Sequence, residues 1–313
     1  MSTADVLRPL WLAGITECKG ARKTTIETFL IPKIAHLNSL PVQGGFTIFV
    51  ANQKMIPELF SHEADRFSTA AFESLLVETT KPEFPRSIGW ILIRGYYSAF
   101  FALHSLMRLH GWACTRLPKD ICTRLNKDAS LYFPGGNKIE AGLYLIKACN
   151  RNPELSFQYL GGKGGGSHEA LWSLLFGFMK ELTNVAMKNP VDAEAAQELV
   201  RLVSQFRELV NGNGGTTWLT KVRNRVNYSH GYGAWHPYQQ STCDVDRIIN
   251  VLSRWKDQPS VAMSTGTSDE LLQFCEACAF LISLCHSTMK DLIYRSKPTS
   301  PFRLSTGRLL DKI

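Results

Sequence analysis

Apolar positions recur at helical spacing along most of this chain, and the places where that spacing breaks define its organisation. It predicts helices over residues 4–17, 22–37 and 52–76, with a turn-rich stretch from Pro41 to Gly45 in between. Residues 46–50 are short, aromatic and β-branched, and predict one strand. After Pro82 and Pro85 comes a long segment, 86–110, apolar on nearly every side, as a helix buried on most of its faces would be. Within it Gly95, Ser98, Ala99 and Ala102 draw a stripe of small side chains that lets a second helix come close.

Further helices are predicted over 168–187, with Ser167 placed to cap it and Pro190 to end it, and over the amphipathic 193–210, closed by residues 211–215. Others follow at 216–230, stopped by Gly231 and Gly233, and at 245–255 and 270–294. Residues 111–166 have weak periodicity and read as an insertion between core helices. There 143–148 is the best helical piece and the glycine-rich 161–166 a mobile loop. The expected fold is mainly α: a helical bundle over 85–297 with an insertion at about 111–166. A helical or small α+β N-terminal subdomain (1–84) precedes it and a tail (298–313) follows.

Composition narrows the class. With 313 residues, 44% hydrophobic and 20% charged, the chain can bury a core without disulfides or metal and carries no long biased tract. Eight scattered cysteines and no secretory leader predict reduced thiols and a cytoplasmic location. Charged residues interrupt the two most apolar stretches, so no membrane span is expected. Lysine and arginine exceed aspartate and glutamate by 35 to 27, a formal charge of +8, which favours a polyanionic partner.

The chemistry concentrates in residues 221–231, KVRNRVNYSHG. At about 100° per residue, Arg223 and His230 fall within roughly 20° of each other on a helix, with Asn227 some 40° from Arg223. Val222 and Val226 point elsewhere and can anchor the helix, and Gly231 ends it just past the imidazole. An exposed basic helix face and a histidine favoured by the helix dipole account for the same residues without catalysis.

An arginine, a polar residue and a His-Gly at a helix end resemble the signature of the HEPN superfamily. Arg223, Asn224 and His230 match it with six intervening residues; Arg225 and His230 match with four, but Val226 then fills the polar position. Residues 94–104, RGYYSAFFALH, resemble the tyrosine- and small-residue-rich core helix of many HEPN domains. The two motifs and the helices around them cover roughly 85–297.

The resemblance implies a metal-independent endoribonuclease whose motifs meet across a homodimer cleft, leaving 2′,3′-cyclic phosphate and 5′-hydroxyl ends. It further implies a bacterial toxin or phage-defence setting with an antitoxin or defence partner. Arg223, Asn224 and His230 would be catalytic, with Arg225, Asn227, Lys221 and Lys163 along the RNA. Histidine can move protons at neutral pH, and arginine grips phosphate through a planar fork. The alternative is a noncatalytic HEPN-like module that binds nucleic acid or nucleotide, or scaffolds a partner.

Three other constellations carry less. Cys275, Cys278, Cys285 and His286 have a zinc-like spacing but lie on what reads as one helix with apolar residues interleaved. In 161–167, GGKGGGS, the lysine precedes glycine where a phosphate-binding loop needs Ser or Thr. His104 and His110 read as packing or surface residues. No cofactor and no metal are expected.

Overall fold

A computed structural model describes residues 3–20, 25–30, 35–39, 41–80, 87–149, 152–161, 166–188, 192–238, 245–263 and 266–312. The chain opens with α1 (Thr3–Leu7), α2 (Ile26–Phe29), β1 (Ala35–Leu37), β2 (Gly45–Val50), α3 (Met55–Thr80) and α4 (Ile88–Leu109). There follow β3 (Trp112–Leu117), α5 (Lys119–Tyr132), β4 (Gly142–Ala148), β5 (Glu154–Gly161), α6 (Ser167–Lys188) and α7 (Ala193–Gly212). Last come α8 (Trp218–Ser229), α9 (Val245–Ser253), α10 (Pro259–Ala262), α11 (Glu270–Arg295) and α12 (Arg308–Leu310). Helix takes up 66% and strand 11%, so the expected mainly helical class holds.

The apolar helix α4 is the centre of the core. The Ser98 hydroxyl donates to the Ala71 carbonyl of α3 at 2.6 Å, and that of Ser105 to Ala64 at 2.9 Å. Small residues on both helices therefore bring the backbones close enough for side chains to bridge them directly. Gly95, from the same stripe, serves α9 instead: a Cβ there would stand 3.1 Å from Leu252 Cδ2. The almost wholly buried α11 packs on another side of α4, and α8 on a third. Although α11 is long and apolar enough to cross a membrane, 89% of its most apolar window is buried, as in a core helix. Aspartate caps start α7 and α11: Asp192 accepts from the Ala195 amide at 3.0 Å and Asp269 from that of Leu272 at 2.9 Å.

The sheet is larger than the single expected strand. Its order is β1-β2-β5-β4-β3, antiparallel throughout. Phe46 pairs directly with Phe157, their rings stacked at 4.5 Å, and Ile48, Val50 and Leu155 join them on the buried face. The stretch 1–84 thus shares a sheet with the expected insertion and, through α3 and α4, a core with the bundle.

Several local expectations are corrected. Residues 111–166 contain three strands and α5 rather than a loose insertion. Residues 143–148, expected as helix, form β4; residues 142–146 are buried in sequence, and such a short apolar run fits a covered strand as well as a helix. Described residues of 157–161, placed in or near a mobile loop, belong to β5, which bonds to β2 on one edge and β4 on the other. Residues 162–165, and Lys163 with them, lie outside the described residues. The expected helix 4–17 ends at Leu7 and continues as 3₁₀ turns, while the described residues of 22–37 form the short α2 and then β1.

Candidate active site

The motif helix α8 begins after Gly214 and Gly215, both at positive φ, and ends where His230 enters the left-handed region at φ 49°, ψ 30°. The His230 amide donates back to the Arg225 carbonyl, which closes the last turn and leaves the imidazole exposed. Val222 and Val226 are buried, as their spacing requires.

The three expected catalytic side chains differ in exposure: Arg223 is buried, Asn224 half-buried and His230 exposed. Arg223 is only 8% exposed, and its guanidinium carbon lies 5.2 Å from the ring centre of Tyr96 and 5.9 Å from that of Tyr97, both on α4. Its Nε and the Oδ1 of Asn224 are buried without a hydrogen-bond partner among the described residues. Beside Arg223 sits a polar cluster absent from the sequence reading. The Tyr96 hydroxyl meets His168 Nδ1 at 3.0 Å and Thr220 Oγ1 at 3.2 Å, and accepts from the Trp172 indole at 2.9 Å. Burial, reinforced by the Arg223 charge, pushes the His168 pKa down to about 4, so this imidazole is neutral at physiological pH.

The accessible arginine is Arg225, with its side chain 57% exposed. It donates to the Tyr232 hydroxyl at 3.0 Å, lies over that ring at 4.4 Å, and approaches Glu270 at 3.7 Å. Lys221 is exposed on α8, and Asn227 is half-buried.

Beyond α8 the backbone is strained. The three described non-glycine residues with positive φ, His230, Tyr232 and Tyr238, all fall in the nine residues 230–238. Left-handed backbone is costly for histidine and tyrosine, and such strain clusters at functional sites. The segment is nevertheless pinned. The Trp235 indole donates to the Val226 carbonyl at 2.6 Å, and the Gly89 amide to the Ala234 carbonyl at 2.8 Å. A Cβ on Gly89 would stand 2.6 Å from the Trp235 ring, so only glycine admits this approach. Trp90 (55% exposed) meets Trp235 edge-on at 5.6 Å, and Tyr228 is 71% exposed. His230, with its ring 6.3 Å from Trp235, therefore stands on a surface of aromatic and basic side chains.

The cysteines of α11 are buried on one continuous helix; burial raises the thiols of Cys278 and Cys285 and lowers His286 to about 4. Comparison with known proteins finds no family model, no curated protein and no solved structure that matches this chain.

Proposed function

We propose that the protein is a HEPN-type, metal-independent endoribonuclease acting in the cytoplasm as a homodimer, with His230 as its proton-transfer group. The observation that carries this reading is the exposed imidazole of His230, held in a strained left-handed conformation at the end of α8 beside Arg225 and an aromatic surface. Exposed rings can stack unpaired bases while arginine and lysine follow the phosphates. RNA supplies its own nucleophile, so the site needs only to remove the 2′-hydroxyl proton, protonate the leaving 5′-oxygen and stabilise the charge on phosphorus. Histidine can perform the proton transfers and arginine the stabilisation. The orphaned Arg223 Nε and Asn224 Oδ1 support a site completed by another molecule, the partner protomer or the RNA, because buried polar atoms rarely stay unpaired.

A second reading has its own observation. Arg223 is folded against Tyr96 and Tyr97, where it serves packing, and this favours a noncatalytic HEPN-like module that binds RNA on the same surface. One experiment separates the two. The purified protein is incubated with single-stranded RNA in excess chelator and the ends are analysed. Cleavage to 2′,3′-cyclic phosphate and 5′-hydroxyl ends, lost in His230→Asn, supports the nuclease; binding without cleavage supports the module. Neither binding nor cleavage removes both.

A further inference from the structure

A second polar centre lies far from the α8 surface, where α1, the turn after α9 and the later half of α11 meet. Its central residue, His286, stands roughly 24 Å along α11 from Glu270, the residue that approaches Arg225. The cavity there holds about 220 Å³, below the usual range of small-molecule sites and ample for one small ion. Two of the carboxylates on its wall are already engaged. Arg8 pairs with both Asp5 and Asp291, and Arg295 donates to Asp291 at 2.8 Å, so these four charges cancel. Lys256, Lys290 and Asp257 also line the cavity and have no ion-pair partner among the described residues. They leave it one positive charge in excess.

An imidazole sets the chemistry of this cavity. His286 is 5% exposed and lines it, yet neither ring nitrogen has a hydrogen-bond partner among the described residues. Phe72 and Trp255 meet the ring edge-on at 5.7 and 5.1 Å and fix its plane. Buried polar atoms rarely stay unpaired, so the ring is placed for something that enters. Burial, then Lys290 and Lys256, hold its pKa down to about 4, and no described carboxylate counters them. The field at the ring is therefore positive, and the neutral ring still carries one N–H to donate. An anion is drawn in and a cation repelled. Asp257 narrows the choice, because a carboxylate only accepts hydrogen bonds and tolerates an anion that brings a proton. Every phosphate ion present near neutral pH keeps at least one proton, whereas sulfate, of the same shape, keeps none.

We propose that this cavity is a binding site for inorganic phosphate, held by Lys256, Lys290 and the His286 N–H, with Asp257 accepting the proton that the ion keeps. The inference does not depend on the activity assigned to α8. Titration calorimetry of the full chain near neutral pH with inorganic phosphate, sulfate and phenyl phosphate tests it. Phosphate should bind saturably, and sulfate and the bulkier phenyl phosphate should each bind at least about tenfold more weakly. Lys256→Ala and Lys290→Ala should each weaken phosphate binding by about tenfold, the loss of a charge-assisted bond. Asp257→Asn should abolish the preference over sulfate, because an amide can donate to an ion that has no proton to give. These three side chains are exposed or half-buried, and unchanged circular dichroism would verify that the variants fold. His230→Asn should bind phosphate as the parent protein does. No saturable binding, binding unchanged in both lysine variants, or sulfate or phenyl phosphate bound by the parent as tightly as phosphate would each overturn the proposal. So would a phosphate preference that survives Asp257→Asn, or loss of binding in His230→Asn.

Discussion

The guanidinium of Arg223 lies over the face of Tyr96, 5.2 Å from its centre, and joins the motif helix α8 to the core helix α4. A buried cation against an aromatic ring contributes through packing as well as charge. Arg223→Ala should therefore cost roughly 2–4 kcal/mol of stability. Tyr96→Phe, which orphans the Trp172 indole, should cost about 1–3 kcal/mol. Urea unfolding measures both, and an Arg223→Ala protein as stable as the parent would show that this residue is not a packing element.

At His230 two demands on one residue conflict. Glycine would relax the left-handed backbone, so His230→Gly should raise stability by about 1 kcal/mol while abolishing RNA cleavage. His230→Asn and His230→Ala should cut cleavage by about 10² to 10⁴, and asparagine, which tolerates that conformation, should leave stability nearly unchanged. Cleavage by His230→Gly at the parental rate would eliminate proton transfer by this side chain.

Arg225 and Arg223 differ by exposure, and that predicts different phenotypes. Arg225→Ala should weaken RNA binding and lower the slope of log affinity against log salt by about 0.7, one phosphate contact on a single strand. Arg223→Lys should leave that slope unchanged. Fluorescence anisotropy across a salt series reads both, and equal slopes for the parent and Arg225→Ala would remove Arg225 from the interface.

Acid should destabilise the protein before its carboxylates protonate. The pKa of His286 is lowered to about 4 by burial, with Lys290 and Lys256 adding to the effect, and that of His104 falls well below its ordinary value. Above pH 6.5 both are neutral whether folded or unfolded, and stability is unaffected. Below 6.5 the unfolded chain takes up protons that the folded one refuses. Stability is therefore lost as pH falls from about 6.5 toward 4, by up to roughly 1.4 kcal/mol per pH unit for each histidine. His286→Gln should flatten the decline, and a slope identical to the parent's would contradict this assignment.

Hydrogen exchange should find the amides of β5 among the slow ones, because this strand bonds to neighbours on both edges. Rapid exchange across residues 155–159 would contradict the sheet topology.

The long core helices were readable because each carries its own evidence: the apolar run of α4, the stripe of α7, the glycine after His230. The sheet was less readable, since β2 finds β5 more than a hundred residues away and no local pattern encodes that pairing. One signal was present, though, in the alternation of buried Leu155 and Phe157 with exposed Ser156 and Gln158. The candidate site divides in the same way. His230 at a helix end follows from spacing, but the burial of Arg223 depends on Tyr96 and Tyr97, and the docking of Trp235 on Gly89. The buried Arg108–Glu63 pair left a trace in His104 and Arg108, two polar residues four apart on the mainly apolar α4, which helical geometry places on one face.

The pairing of β2 with β5 also bears on how the chain is made. At about 5–20 residues per second, a ribosome completes β5 roughly 5–20 s after β2. For that interval an apolar, aromatic strand has neither its central neighbour nor the wall that β4 and β3 later add. Nascent chains paused between residues 50 and 154 should accordingly be the ones that chaperones hold and that aggregate when chaperones are withdrawn.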